Sequence, residues 1–377
     1  MTEDAAKGDS IRIHYVPRTG LLRLSLVNAL LFLFTLTLYR FWARTNVRRH
    51  IWSCVHINGE PLEYTGRGIE LFKGAMFVFL VFGLPTVLAF AGLTLAFGPE
   101  HPSVVGLQLL VFLAISLLWG AAFYRARRYQ LSRTLWRGIR GALLGSTTTY
   151  ALLYFGSIMA RAMTLGWITP VMNLALQQQM MGSTFFGDQP FRFKGRAGPL
   201  YPAYALCWFV SLLVIALLGG LLIAEFTLLE TEGFWASLAG EPGTDPGSPD
   251  QVSIAIGVIV VSLAIVYLLY LTLYPAIWAV YTARELIQFA TYTSFDGARF
   301  RFDATTGSII RLAIGNALLS VLTLGVAAPF VQQRLVRYLC DRVRIDGTVD
   351  IDRIRQSRAP VSSMGEGLAD ALDVGGL

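Results

Sequence analysis

Charged residues are scarce in this chain. Only 15% of its 377 residues are charged and 54% are hydrophobic, whereas a soluble protein carries roughly 25% charged residues. This scarcity excludes an ordinary soluble domain. Several apolar runs are each long enough to cross a hydrocarbon core, which takes about 20 helical residues; they lie at 73–97, 105–124, 200–223 and 253–276. The composition therefore predicts an α-helical integral membrane protein.

Cysteine and histidine are also rare, with 3 and 4 residues respectively. The cysteines are scattered, odd in number and not at metal-ligand spacing, so we expect neither a disulfide framework nor a metal site. The sequence has no Gly-x-Ser-x-Gly, His-Glu-x-x-His or phosphate-loop motif. We therefore expect no enzymatic activity and no cofactor, and we rank an intramembrane enzyme behind the other classes of function.

A cleavable signal peptide is not evident, since the first apolar run contains Arg23 and no small-residue cleavage site follows it. Acidic residues are fewer than basic ones, and the net charge is +7. In a membrane protein, excess positive charge faces the cytoplasm and its anionic lipid. We therefore expect anionic lipid headgroups as partners, and no nucleic acid.

The distribution of basic residues predicts the topology. The connections 98–104 and 224–251 contain no Lys or Arg, so both are expected outside the cytoplasm. Every other connection is basic. Three shorter apolar runs would then begin and end on the cytoplasmic side, and we expect them to enter and return or to lie tilted in the inner leaflet; these are 21–38, 141–160 and 308–326. The alternative is seven ordinary spans, which would put the acidic 224–251 loop inside.

One motif occurs several times. Arg23 and Asn28 return as Arg311 and Asn316 with a constant offset, and a third copy runs from Thr164 to Asp188. Each copy has an apolar run ending in Thr-Leu, then an amphipathic elbow opened near Phe41, Pro170 or Pro329, then a short hairpin at a turn such as Asn58-Gly59. Repeated membrane units usually hold the working site between them.

These patterns predict an all-α polytopic membrane protein with small cytoplasmic β-hairpins and tandem internal repeats. The repeat units are expected at 11–124, 125–276 and, as a partial unit, 277–356. A polar N-terminal tail at 1–10 and a disordered C-terminal tail at 357–377 complete the chain.

The motif resembles the bacterial domain-of-unknown-function family 898, the YjgN-like inner-membrane proteins. The residues that carry this resemblance are Thr35-Leu36-Thr37-Leu38-Tyr39-Arg40-Phe41-Trp42-Ala43, Asn58-Gly59 and Leu62-Glu63-Tyr64-Thr65-Gly66. The chain departs from the family pattern at Thr37, where Gly is favoured, and at Phe41, where Pro is favoured. The resemblance covers about residues 11–356 and implies a multi-pass protein of the bacterial inner membrane, with no established activity.

Two arginines at matching positions, Arg23 and Arg311, lie inside apolar runs. A charge there costs at least about 2.5 kcal/mol unless it is paired or reaches the headgroups. One interpretation is a site for an anion, such as a lipid phosphate or a substrate carboxylate. The other is structural: each Arg extends to the cytoplasmic headgroups from near the end of its helix.

Three further residues belong to the same candidate site. Asn28 and Asn316 either hydrogen-bond backbone in a re-entrant turn or join neighbouring helices. Arg161, three residues before Thr164, could play the role of the two arginines in the middle repeat. We therefore expect transport, or handling of a lipid or small anion, at a site between repeats. The alternative is a membrane scaffold that docks a membrane-protein partner.

Overall fold

The structure is a computed structural model that describes residues 9–231 and 249–357. Most of the two predicted tails, and much of the acidic loop, lie outside the described residues. The chain forms two compact units. The first comprises Met1–Ala197, Leu286–Ala304 and Arg311–Leu377, and the second comprises Gly198–Glu285 and Thr305–Ile310.

Helices make up most of the described residues. In chain order they are α1 (Leu21–Phe34), α2 (Arg40–Trp52), α3 (Gly68–Phe97), α4 (Pro102–Arg133), α5 (Thr147–Met163), α6 (Thr169–Gly182), α7 (Tyr201–Thr231), α8 (Pro249–Tyr292), α9 (Thr306–Leu322) and α10 (Ala328–Arg342). A π-helical stretch interrupts α3 at Phe79–Gly83. Four of these helices, α3, α4, α7 and α8, are long and apolar enough to cross a membrane. They contain the four long apolar runs of the sequence.

The three shorter apolar runs each contribute one arm of a helix hairpin, although the first residues of the run 141–160 belong to a strand, Ile139–Leu143. The pairs α1–α2, α5–α6 and α9–α10 are each joined by a five-residue turn, and the two arms pack together in the first and second pairs. The returning arms begin at Arg40, Thr169 and Ala328, within one residue of the predicted elbow starts. Another proline, Pro275, lies inside α8, and the helix continues through it.

The three turns share one backbone geometry. Leu36, Leu165 and Leu324 have φ of 48°, 49° and 48°, a left-handed conformation that side chains with a Cβ rarely adopt. The next position has φ of 75° at Thr37, 83° at Gly166 and 83° at Gly325. In each turn the backbone N–H of this position donates to the carbonyl five residues earlier, as in a helix C-cap.

A threonine hydroxyl completes each turn. The side chains of Thr35, Thr164 and Thr323 each donate to the carbonyl oxygen four residues earlier at 2.7 Å. Each hydroxyl also accepts from the backbone N–H four residues later, at 2.9, 3.3 and 3.1 Å respectively. The hydroxyl therefore gives a partner to a backbone N–H just before the returning arm. The carbonyl oxygen to which it donates also accepts from the threonine's own backbone N–H.

The strands form one large sheet and two small ones. The eight-stranded antiparallel sheet has the order β12-β11-β10-β9-β8-β7-β6-β5, and β2-β3-β4 and β1-β13 form the others. The strands are β1 (Asp9–Ser10), β2 (Ile13–Tyr15), β3 (Val55–Ile57), β4 (Glu60–Pro61), β5 (Glu63–Tyr64), β6 (Thr134–Trp136), β7 (Ile139–Leu143), β8 (Thr184–Phe186), β9 (Gln189–Phe193), β10 (Thr293–Phe295), β11 (Ala298–Phe302), β12 (Val343–Asp346) and β13 (Thr348–Val349).

The predicted fold class is wrong in one respect. An all-α protein with small β-hairpins was expected, whereas the hairpins pair edge to edge into the eight-stranded sheet. Phe191 of one hairpin pairs with Phe295 of the next, and Gly141 pairs with Phe186. The physical reason is that an isolated hairpin leaves two rows of backbone N–H and C=O groups unpaired, and lateral pairing satisfies them.

The strand pairings form a circuit, which we call the strand ring (β1–β13). From β12 the chain turns at Asp346-Gly347 into β13, which pairs with β1, and β1 leads to β2. The β2-β3-β4 sheet follows, and β4 leads through Leu62 into β5 at the other edge of the large sheet. One core cluster collects buried side chains from this circuit: Trp136, Phe295, Ala298, Val349, Ile351 and Ile354.

The left-handed φ at Thr37 gives a prediction. Thr37→Gly should stabilise the protein by about 1 kcal/mol, because glycine adopts this conformation without the steric cost that a Cβ brings. Gly325→Ala is the matched reverse change, since a Cβ at Gly325 has no heavy atom within 4 Å and only the conformation is penalised. Thermal unfolding in detergent should show opposite shifts for the two variants. A lower thermal unfolding midpoint for Thr37→Gly than for the wild type would contradict a conformational cost at Thr37.

Candidate functional site

The inner side of α1 carries polar side chains that the first and third hairpins enclose. Leu21, Ser25 and Asn28 are the buried residues of this helix. The Ser25 hydroxyl donates to the carbonyl oxygen of Val326, in the turn of the third hairpin, at 2.6 Å. This hydrogen bond holds α1 against the turn between α9 and α10.

Asn28 lies one helical turn beyond Ser25 on the same side of α1. Its side chain is 6% exposed, and both its amide nitrogen and its oxygen are buried without a hydrogen-bond partner in the structure. A buried donor or acceptor left unpaired costs about 1–3 kcal/mol. The matching Asn316 on α9 is half-buried, and its side-chain oxygen also lacks a partner.

The two arginines of the repeated motif have different surroundings from the asparagines. Arg23 and Arg311 are both exposed. Both are close to the first turns of their helices, at the end away from the hairpin turn. A cation at the base of a hairpin can reach headgroup phosphates or a soluble anion with its charged end.

Arg161 lies near the turn of the second hairpin, and the opposite arm holds it. Its Nη2 atom donates to Oδ1 of Asn173 on α6 at 2.6 Å, while its Nε is buried without a partner. No Asp or Glu occurs in α5 or α6, so neither arm supplies a carboxylate to Arg161. The third hairpin has a comparable polar link, from Arg334 to the carbonyl oxygen of Gly315 at 3.1 Å.

The predicted site residues are therefore distributed over three hairpins. In the part of the chain that the structure describes, no hydrogen bond or ion pair joins Arg23, Asn28, Arg161, Arg311 or Asn316 to one another. Sequence reasoning missed Ser25, Asn173 and Arg334. Ser25 could have been found from its spacing of three residues from Asn28, which places both on one side of a helix.

Other basic side chains have structural partners where α2, α3 and α4 meet. Arg133 on α4 forms an ion pair with Glu70 on α3 at 2.8 Å, and the Tyr129 hydroxyl donates to the same carboxylate at 2.7 Å. Arg49 donates to the carbonyl oxygen of Gly66 at 3.1 Å. These two arginines therefore join helices to one another and to the loop before α3.

Two potential nucleophiles near the strands, Cys340 and Tyr15, are held in their protonated forms. Burial raises the pKa of the Cys340 thiol to about 11 and that of the Tyr15 hydroxyl to about 12. Both groups therefore stay protonated at neutral pH and are poor nucleophiles. Among the described residues, no group of three His, Cys, Asp or Glu side chains lies close enough to hold a metal ion.

Comparison with known proteins identifies a family. The model of a family described as "Bacterial protein of unknown function (DUF898)" matches residues 18–371 of the chain. This match spans nearly the whole chain and confirms the resemblance seen in the Thr-Leu and Asn-Gly motifs. No curated protein and no solved structure matches the chain.

The Arg161–Asn173 contact gives a prediction. Asn173→Ala should lower the free energy of unfolding by about 1–3 kcal/mol, because the guanidinium group loses an acceptor at a half-buried position. Arg161→Met should cost less than this, since it removes the charge together with its need for a partner. Chemical unfolding of both single variants and the double variant would measure the coupling. Strictly additive effects would contradict an energetic link between the two side chains.

Proposed function

Because the chain belongs to DUF898, a bacterial family of unknown function, we propose its function from its own geometry. It is a multi-pass protein of the inner membrane that transports or handles a lipid or another small anion. The site lies between the helix hairpins and uses Arg23, Asn28, Arg161, Arg311 and Asn316. It works without enzymatic chemistry.

The turns of the three hairpins support a place inside the membrane. Leu36, Leu165 and Leu324 at these turns are 84%, 79% and 94% exposed. Exposed leucines at a turn are unfavourable in water and suit contact with lipid chains. With 14 residues, α1 is about 21 Å long at 1.5 Å per residue, which is short of a core of about 30 Å. These features favour hairpins that enter from the cytoplasmic leaflet and return.

The shared turn geometry also supports internal repeats. The same left-handed pair of residues and the same threonine hydrogen bonds recur in all three hairpins. We propose that they mark units of one repeated design, with boundaries at 11–124, 125–276 and 277–356. The strands that follow each hairpin would then lie on the cytoplasmic side, where the connections are basic.

The observation that carries the proposed site is the unpaired amide of Asn28. A side chain that is 6% exposed and has no partner for either amide atom can donate to an anion and accept from a protonated group. The exposed Arg23 lies on the same helix and would supply the positive charge. A phosphate or carboxylate would satisfy the amide donor, and a hydrophobic tail would suit the apolar hairpin arms.

A second function is favoured by a different observation. The chain segment after β13 packs its apolar side chains against the core of the strand ring, and this packing supports a surface suited to an extended peptide. A scaffold that docks a membrane-protein partner would use that surface and would leave Arg23 and Asn28 without a ligand.

The topology can be tested by cysteine labelling in cells. In a background with Cys54, Cys207 and Cys340 replaced by Ser, we expect Ser103→Cys to react with a membrane-impermeant maleimide in intact spheroplasts. Lys194→Cys should react only after permeabilisation, because the hairpins return to the cytoplasmic side. Both positions are exposed. Labelling of Lys194→Cys in intact spheroplasts would favour seven ordinary spans.

The site can be tested by native mass spectrometry of the protein in lipid discs. Arg23→Ala/Arg311→Ala and Asn28→Leu should each lose a bound lipid or small anion that the wild type retains. Loss of one hydrogen bond to a charged group lowers affinity roughly 10–100-fold. Arg192→Ala/Arg299→Ala removes the same charge from exposed strand positions and should retain the ligand. An unchanged ligand in all variants, or a protein partner as the sole retained species, would overturn the proposed site.

A further inference from the structure

A segment at the end of the described chain, Val349–Ser357, lies against the core of the strand ring; we call it the C-terminal segment. Buried residues recur along it every two or three positions, with exposed residues between them. Val349, Ile351, Ile354 and Ser357 are buried, while the charged residues Asp352, Arg353 and Arg355 are exposed. The three apolar side chains belong to the same cluster as Trp136 and Phe295. The segment therefore presents one apolar side to the ring and one charged side to solvent.

Three hairpin turns hold this segment, two through its backbone and one through a side chain. Asp296 accepts from the backbone N–H of Asp350 at 3.2 Å, and Asp188 accepts from that of Arg355 at 3.0 Å. The carbonyl oxygen of Gly138 accepts from the Gln356 side chain at 2.8 Å. Each contact comes from the turn of a different hairpin, so the segment spans the row of turns.

Arg140 on β7 adds two further contacts at the end of the segment. Its backbone N–H donates to Oε1 of Gln356 at 3.1 Å, and its guanidinium donates to the carbonyl oxygen of Ser357 at 3.0 Å. The donor to the Asp188 carboxylate also has an electrostatic effect: the N–H of Arg355 lowers the pKa of Asp188. The carboxylate is therefore ionised, and accepts a hydrogen bond, throughout the neutral range.

The segment resembles a bound peptide more than a strand of the sheet. Beyond Val349 it forms no strand pairing among the described residues, and its only regular element is a single 3₁₀ turn at Ile351–Arg353. Its polar contacts are made largely by turns and side chains. Peptides bind protein surfaces in this manner, with spaced apolar anchors and backbone hydrogen bonds.

The turn at Gly187 is shaped for close approach of the segment. A Cβ at this position would collide with the carbonyl oxygen of Arg355 and would lie 2.7 Å from the Ile354 side chain. Glycine is therefore required at this turn by the C-terminal segment, in addition to any requirement of the turn itself, where φ is 60°.

We propose that the rest of the strand ring, β1–β12, is a docking surface for an extended peptide, and that residues 349–357 occupy it as a displaceable ligand of the same chain. The partner would be a protein with an extended segment that carries apolar side chains at three anchors, spaced two and three residues apart, and an amide side chain two residues after the last anchor. Its segment would replace Val349, Ile351, Ile354 and Gln356 at the same contacts. This proposal is independent of a ligand at Asn28.

The test uses a fluorescent synthetic peptide with the sequence of residues 349–357 and the full chain in lipid discs. Ile351→Asp/Ile354→Asp should release the segment, because two carboxylates cannot be buried in an apolar core. Fluorescence anisotropy should then show saturable binding of the peptide to this variant, at least tenfold tighter than to wild type. The matched control Asp352→Asn/Arg353→Gln changes exposed positions of the same segment and should behave as wild type.

Two controls make the outcome decisive. A peptide with Asp at both isoleucine positions should not bind to any variant. Gly187→Ala should weaken peptide binding to the Ile351→Asp/Ile354→Asp chain, because the added Cβ obstructs the peptide as it obstructs the segment. Absence of binding to a released variant that still elutes as a folded protein would overturn the proposal. Equal binding of the Asp-containing peptide would do the same.

Hydrogen exchange of the wild-type protein keeps the proposal testable if the variant fails to fold. The amides of Asp350 and Arg355 should exchange at least tenfold faster than those of β9 and β11, because displacement requires local release without opening of the sheet. Exchange of the segment at the same rate as the sheet strands would show that it is a permanent part of the core, and the proposal would then fail.

Discussion

The constraint on which this structure depends is the pairing of backbone groups at the three helix-hairpin turns, whose leucines are exposed. A helix that ends in hydrocarbon leaves carbonyl and N–H groups that water cannot satisfy. The Thr-Leu motif meets part of this need at each hairpin, since the threonine hydroxyl accepts from the backbone N–H just before the returning arm. The hydroxyl also donates a second hydrogen bond to a carbonyl oxygen that already accepts from the threonine N–H. The two arms of each hairpin can therefore be joined by a turn of five residues.

The polar side chains between the hairpins differ in whether they have a hydrogen-bond partner. Ser25 and Arg161 are paired with the facing turn or arm, whereas the Asn28 amide has no partner. Natural structures leave few such groups without a reason. The unpaired amide, next to a seam between two hairpins, is therefore a better indicator of function than the exposed arginines.

At the opposite end of the hairpins, the strands also pair backbone N–H and C=O groups that would otherwise lack partners. Tight turns such as Asp296-Gly297 keep each hairpin short, and lateral pairing joins the hairpins so that few edges remain. The core this creates is filled by the C-terminal segment, which the turns themselves hold. The strand ring is thus both a fastening for the helices and a surface suited to peptide recognition.

The sequence by itself determined the long apolar helices, the hairpin turns and the family, because each depends on a local signal: run length, Thr-Leu, Asn-Gly or Asp-Gly. It also located the elbow starts at Arg40, Thr169 and Ala328 to within one residue. Only the tertiary structure decided that the hairpins join into one sheet, that Asn28 is buried while Arg23 is exposed, and that residues 349–357 lie in the ring. Those features depend on pairing between distant segments, such as Asp188 with Arg355, and no spacing along the chain encodes which edges and faces will meet.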